Sequence, residues 1–521
     1  MKRRAFLKSA AATAFAAGFF PQAASSETPG PDVAKAEALA ESPYSGPGLY
    51  YKPKGGRVGD VIPFYDQGEF RIFHLYQADH EKGITTWHQV TTKDFIHFSE
   101  LGTMLPRGTR QDQDLSVATG SVIKDKSGRY HAFYTGYNTV NMANKPQQGV
   151  MHADSEDLVH WEKRYEDTFY APTAIYERND WRDPFVFWNE EAGEYWMLVA
   201  ARLNTGPSRR RGCTALCTSK DLTHWEAGKP FWAPGLYYTH ECPDLFKIGE
   251  WWYLVFSEFS ESNQTRYRMS RNITGPWIAP EDDVFDCRAL YAAKTTSNGK
   301  ERFLFGWNPL KTGSTDDGKW EWGGTLVMHQ LLQRPNGELY VDLPASIGKA
   351  FKRSMPINVR SAFGKCDVAA DRVTIDTPQS LGIATVAPLP TQCKIVTNIG
   401  AIGNCRSFGL MLKLLDDLDT CYFVRFEPAR NRMVLDLWRR PGDVPFITGF
   451  ERPLKLTPGE PIELQVILDG TIAEIYVAGK IAMSARLYKP NAGQLGVFSD
   501  EGTVTFSKLG IFSMENHEIP G

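Results

Sequence analysis

Thr92-Lys93-Asp94-Phe95-Ile96-His97-Phe98, Ser155-Glu156-Asp157-Leu158-Val159-His160-Trp161 and Ser219-Lys220-Asp221-Leu222-Thr223-His224-Trp225 are three copies of one segment. A degenerate fourth copy stands at Asn272-Ile273-Thr274-Gly275-Pro276-Trp277. The aspartates of the three clear copies step by about 63 residues, a period that marks a repeated structural unit. Each copy follows a hairpin pattern, two short apolar runs joined by a polar or glycine-containing turn. The hairpins run from Asp60 to Phe73, Ser121 to Tyr134, Asp183 to Val199, Asp244 to Phe256 and Ala292 to Phe305. Five hairpins at roughly 60-residue spacing, with little helical periodicity, predict an all-β chain that opens with a five-bladed β-propeller of four-stranded blades. The Asp-x-x-His-Trp segment itself reads as a turn with a packing aromatic and no chemistry of its own. Its use is positional: it makes the first strand of each hairpin the innermost one, with the strand head facing the propeller axis.

From about Leu343 the pattern changes to alternating strands separated by Gly, Pro and Asp turns. These are Ala384–Val386, Phe408–Leu415, Cys421–Phe426, Met433–Trp438, Ile462–Leu468, Ile472–Val477 and Gly496–Phe498. Such spacing predicts a β-sandwich. The expected domains are a propeller over 47–345 and a sandwich over 355–517.

Ahead of both, Arg3-Arg4-Ala5-Phe6-Leu7-Lys8 and the weakly apolar run to Phe20 read as a twin-arginine targeting segment over 1–24, with a general secretory signal as the bland alternative. A Pro- and Ser-rich leader, 25–46, is expected to be mobile. No other stretch approaches the ~20 apolar residues of a membrane helix. The expectation is therefore a periplasmic or secreted protein with no membrane insertion once the signal is removed. Eight cysteines do not pair by spacing, and a chain folded before export should keep mostly free, buried thiols, with disulfides left open. The net charge of -3 and the absence of a basic stripe argue against nucleic acid. Fourteen Trp and 21 Tyr fit sugar stacking better than phosphate binding, although many will be core.

The propeller ruler brings Asp60, Asp183 and Glu241 to one axial funnel. Two or three carboxylates in a wet funnel suit glycoside hydrolysis, which needs one carboxyl to protonate the leaving oxygen and another to attack the anomeric carbon or activate water. A lone aspartate at a strand head is more often satisfied by backbone N–H groups. Arg182 beside Asp183, and the proline after Glu241-Cys242, set these apart from ordinary strand starts. Asp244 is the competing carboxylate and is read as structural.

Arg182-Asp183-Pro184 and Glu241-Cys242-Pro243, on the third and fourth blades, resemble the motifs of glycoside hydrolase family 32, the invertases, levanases and inulinases. The resemblance runs from about Tyr50 to the C-terminus. At the family's first-blade motif, Trp-Met-Asn-Asp-Pro-Asn-Gly, only the aspartate is kept, in Arg57-Val58-Gly59-Asp60-Val61-Ile62-Pro63. The resemblance implies that Asp60 is the nucleophile, Glu241 the general acid and then base, and Asp183 the group that bonds sugar hydroxyls. It also implies substrate contacts from Gln77, Trp87, Ser121 and Arg182, a fructoside substrate, retention of configuration, and no cofactor or metal. Alternatives on related folds are an intramolecular fructosyltransferase releasing a difructose anhydride, a furanosidase acting on arabinan or xylan, and a non-catalytic glycan-binding propeller.

Overall fold

Each of the five hairpins is the inner half of a separate blade. The computed structural model describes residues 48–140, 145–400, 402–438, 440, 450–457 and 459–514. The targeting segment and the leader read at 1–46 lie outside them. Blade one is β1 (Gly56–Asp66), β2 (Glu69–Ala78), β3 (Thr86–Thr92) and β4 (Phe98–Leu105). Blade two is β5 (Ser116–Lys124), β6 (Tyr130–Tyr137), β7 (Gln148–Ser155) and β8 (Glu162–Phe169). Blade three is β9 (Tyr176–Asn189), β10 (Glu194–Leu203), β11 (Gly212–Ser219) and β12 (Glu226–Trp232). Blade four has β13 (Glu241–Ile248), β14 (Trp251–Glu258) and β15 (Gln264–Ser270), and two isolated bridges stand where a fourth strand would run. Blade five is β16 (Tyr291–Ser297), β17 (Arg302–Lys311), β18 (Trp320–Gln333) and β19 (Leu339–Asp342).

Within each blade consecutive strands pair antiparallel, and the first strands close a ring: β1 packs on β5, β5 on β9, β9 on β13, β13 on β16 and β16 on β1. A bridge between Val58 of β1 and Gly324 of β18 joins the first and last blades. Burial follows position. The second strand β6 is buried at every residue, whereas the outermost β8, rich in Glu, Lys and Arg, is half-buried or exposed at every residue. The repeated segment is the turn from third to fourth strand. In blade two the Asp157 carboxylate accepts the N–H of Val159 at 2.9 Å and of His160 at 2.8 Å, while the other oxygen meets the His160 ring at 2.7 Å. That bond set stops the third strand and reverses the chain without help from tertiary contacts.

The only α-helix among the described residues, Ala345–Ala350, leads into the sandwich. Phe351–Ser354 already pairs with the last strand, so the sandwich sheet begins a few residues ahead of the expected 355. All seven stretches read as sandwich strands fall on strands, Phe408–Leu415 running one residue past the end of Ser407–Leu414. The long strand Gln494–Met514 pairs with Ser407–Leu414 over its first half and with Gln392–Gly400 over its second, and this exchange lets one hydrogen-bonded array fold into two packed layers. The two domains share a core in which Ile467, Ile472, Tyr476 and Ala482 pack among propeller residues. Arg486 anchors the contact, donating to the carbonyls of Asn308 at 3.0 Å and Pro309 at 3.1 Å and to the Thr325 hydroxyl at 2.6 Å. All eight cysteines are free thiols, six of them buried.

Candidate active site

Every inner strand carries one extra residue near its head relative to its partner strand. The interruptions fall between Val58 and Val61, Ala118 and Gly120, Arg182 and Phe185, Glu241 and Asp244, and Tyr291 and Lys294. A bulge bends the strand and re-aims its side chains. In the last three blades it holds a non-glycine residue at positive φ: Asp183 at 57°, Cys242 at 50° and Ala292 at 51°. Such backbone costs on the order of 1 kcal/mol or more per residue and persists where surrounding structure enforces it. Five equivalent bulges around one ring aim Asp60, Thr119, Asp183, Glu241 and Tyr291 at the same axis.

Asp60 is half-buried and held at both oxygens. Thr119 donates its hydroxyl to one at 2.6 Å and the Trp307 indole N–H donates to the other at 3.0 Å. Trp322 rests on Gly59; a Cβ there would lie 2.1 Å from its ring. Trp307 and Trp322 stand with ring centroids 6.0 Å apart, on the Asp60 side of the funnel.

Across the funnel, Glu241 accepts from the Tyr291 hydroxyl at 2.7 Å and from Arg182 at 3.1 Å. The same guanidinium donates to Asp180 at 2.8 Å and to Thr239 at 2.9 Å, and its Nε lies 3.8 Å from Asp183. Asp183 accepts the N–H of Cys242 at 3.0 Å, and its own N–H is donated to the Thr135 hydroxyl. Thr135 in turn donates to the carbonyl of Thr119. One run of hydrogen bonds therefore ties Asp60, through Thr119 and Thr135, to Asp183 and on to the Cys242 backbone.

Asp60 and Glu241 hold their protons more tightly in this funnel than they would in water. Burial, with Asp183 and Glu241 close by, pushes Asp60 up to about 7, although Thr119 and Trp307 pull the other way. Glu241 is also raised, by burial first; Asp183 adds to this while Arg182 and Tyr291 oppose it. Burial works against the Arg182 charge, but Glu241, Asp180 and Asp183 outweigh it and keep the guanidinium protonated. Near neutral pH the Asp60–Glu241 pair can thus share one ionised and one protonated carboxyl.

The structure brings Asp60, Asp183, Glu241 and Arg182 together and separates the other expected contacts from them. Trp87 is fully buried, paired opposite Leu75, with its indole N–H donated to the Ala118 carbonyl at 2.9 Å; it is a core residue and not a pocket wall. Ser121 is buried and accepts the N–H of Val186 at 2.9 Å, tying blade two to blade three, so it is an inter-blade strap and not a sugar contact. The Gln77 side-chain amide oxygen is taken by the N–H of Gly83 at 2.9 Å, on a loop, and no described hydrogen bond joins it to Asp60. Asp244 aligns with Phe185 by strand register, not with Asp183; it accepts the Thr295 N–H at 2.7 Å and hydroxyl at 2.6 Å, a structural tie from blade four to blade five. Sequence reasoning missed Thr119, Tyr291, Trp307 and Trp322. Thr119 lies two residues ahead of Ser121 and Tyr291 one residue ahead of Ala292, each just outside a hairpin read from the sequence; the two tryptophans carried no local signal.

Residues 61–341 match the model of the Glycosyl hydrolases family 32 N-terminal domain, and residues 334–513 match that of the Glycosyl hydrolases family 32 C terminal. A sucrose-6-phosphate hydrolase of Escherichia coli is 23% identical over 485 residues, covering 88% of this chain and 92% of its own. A raffinose invertase of the same organism is 26% identical over 483 residues, covering 88% and 92%. The solved structure of fructan 1-exohydrolase IIa from Cichorium intybus, 18% identical, superposes with a TM-score of 0.70 over 93% of this chain and 99% of that one.

Proposed function

Because the chain belongs to glycosyl hydrolase family 32 and is a glycoside hydrolase, we propose that it cleaves β-fructofuranosidic bonds of sucrose or a fructan outside the cytoplasm, with retention of configuration. The observation that carries this reading is the placement of Asp60 and Glu241 on bulges of different blades across one funnel, with Arg182 bonded to Glu241 and beside Asp183. In the first step an Asp60 oxygen forms a bond to the anomeric carbon as the glycosidic C–O bond breaks, and the Glu241 proton goes to the departing oxygen. In the second step water gives a proton to Glu241 and its oxygen replaces Asp60 on the same carbon. Two inversions retain the configuration. Asp183 accepts hydrogen bonds from sugar hydroxyls, and Trp322 offers the half-buried ring against which a sugar packs. The relatives named as acting on sucrose-6-phosphate and raffinose support a fructoside substrate. The Arg3-Arg4 pair and the apolar run behind it support export.

Product analysis with sucrose, inulin and levan tests the reading. Release of free fructose, with the β-anomer formed first by NMR, is expected from at least one of them. Cyclic difructose would replace hydrolysis by transfer. No cleavage of any β-fructoside would remove the substrate assignment.

A further inference from the structure

Asp180 stands two residues ahead of Arg182 on β9, so both side chains leave the same face of the strand, with the buried Trp181 between them. It has no part in the two chemical steps above, yet its carboxylate takes one side of the Arg182 guanidinium, accepting from Nη1 at 2.8 Å. The other nitrogens are spread over three acceptors. Nη2 donates to Thr239 at 2.9 Å and to Glu241 at 3.1 Å, and Nε lies 3.8 Å from Asp183. Glu241 therefore receives one guanidinium N–H bond, not the two of a bidentate pair. Asp180 is itself fixed from β10: the buried Arg202 brings its Nε within 3.6 Å of the second Asp180 oxygen. Arg202 in turn donates to Glu177 at 2.9 Å and to the carbonyls of Tyr238 and Ser208, each at 2.6 Å, and lies 3.7 Å from the centre of the Tyr238 ring. Tyr238 is three residues ahead of Glu241, so one clamp secures both the carboxylate that holds Arg182 and the segment that delivers the acid.

A bidentate Arg–carboxylate pair is among the strongest charge-assisted contacts, and it holds the carboxyl ionised. A general acid must instead keep its proton until the leaving oxygen takes it. We propose that Asp180 is a positioning residue for the general acid: it draws one side of Arg182 away from Glu241 and so prevents the two from closing into a bidentate ion pair. Asp180 acts through Arg182 and does not touch the reacting atoms. This rests on the reading of Glu241 as the acid. The other groups that face Glu241 are the Tyr291 hydroxyl from β16, Asp183 from β9 and Asp60 from β1, and Tyr137 of β6 faces Arg182; all are common to the variants below.

Two variants test this. Asp180→Ala removes the partner of Nη1, and Asp180→Asn leaves it a weaker, uncharged acceptor. The readout is kcat/KM against pH on sucrose or a fructan, whose leaving oxygen needs the acid, and on an aryl β-fructoside, which needs little proton donation. Glu241 works in its protonated form, so activity is lost as pH rises through its pKa, and a closer Arg182 moves that basic limb to lower pH. On the natural substrate Asp180→Ala should move the limb down by about one pH unit, roughly a tenfold loss above it and little below it. Asp180→Asn should move it about half as far, and kcat/KM for the aryl fructoside should stay nearly unchanged in both. A crystal structure of Asp180→Ala should show Arg182 donating two bonds to Glu241. An unmoved basic limb in either variant, equal losses on both substrates at every pH, or an Arg182 that stays where it is now overturns the proposal. Asp180→Asn changes almost no volume, so its limb decides alone should Asp180→Ala not fold. The premise is checked separately with Glu241→Ala. Equal losses there on natural and aryl substrates defeat the acid assignment, whereas a loss confined to the natural substrate, with unmoved limbs in the Asp180 variants, defeats only the role of Asp180.

Discussion

Replacing Thr119 with valine removes one hydroxyl and little volume, and the structure fixes what that hydroxyl does. It donates to Asp60 at 2.6 Å, and its partner matters as an anion. A hydrogen bond to a charged group contributes about 1.5–3 kcal/mol, and one pKa unit corresponds to about 1.4 kcal/mol, so the loss should raise Asp60 by roughly one to two units. The starting point is already high, about 7. In the proposed role Asp60 attacks only when ionised, so activity is lost as pH falls through its pKa, and raising that pKa enlarges the loss. At pH 7 the ionised fraction should fall from about half to roughly a tenth or a hundredth, giving a five- to fifty-fold drop in kcat/KM, with recovery toward wild type near pH 9. An aryl β-fructoside, read by released phenolate in a stopped assay, isolates this limb. The carbonyl of Thr119 still accepts from Thr135, so the strand itself should hold. A loss of equal size at pH 6 and pH 9 would show that Thr119 acts by packing and that the electrostatic account of Asp60 is wrong.

Gly59→Ala should push the Trp322 ring, 2.1 Å from the added carbon, into the funnel; overpacking of about 1–3 kcal/mol should appear as a KM raised about tenfold with the fold intact by circular dichroism, and an unchanged KM would remove Trp322 from the sugar site. Trp87→Phe strands the Ala118 carbonyl and should cost about 1–3 kcal/mol of stability in denaturant melts, leaving KM nearly unchanged; a KM effect without a stability effect would return Trp87 to the pocket. For export, Arg3→Lys combined with Arg4→Lys should leave precursor in the cytoplasm, because a twin-arginine receptor reads the pair and not the charge alone. Undiminished export would favour a general secretory signal.

The blade count was legible because Asp157 and its counterparts build a turn from local bonds alone, and a motif that needs no tertiary partner is written in sequence. Asp60, Asp183 and Glu241 were legible because each lies at a strand head that the ruler places on the axis. The bulges were not legible. Asp183, Cys242 and Ala292 take positive φ without the Gly or Asn that advertises it, and long-range bonds fasten two of them: the Asp183 N–H to Thr135 and the Cys242 N–H to the Asp183 carboxylate. One inserted residue reverses which side chains face the axis, and this explains why Thr119 reaches Asp60 while Ser121 turns to Val186. It also explains why Asp244 is not the counterpart of Asp183. Trp307 was invisible for a simpler reason: its partner Asp60 lies 247 residues away in sequence, and nothing local distinguishes its indole from core.

The division of labour between Asp60 and Glu241 is tested most directly by Glu241→Ala on substrates with poor and good leaving groups, with and without azide. Removing the acid should cost ~10²- to 10⁴-fold on sucrose or a fructan and far less on bond cleavage of an aryl fructoside. There the variant should show a burst of phenol followed by slow turnover, because no base remains to activate water. Azide, which needs no base, should restore turnover and yield the β-fructosyl azide, the retained product of two inversions. Equal losses on both substrates, with no burst and no rescue, or an α-fructosyl azide, would contradict the account.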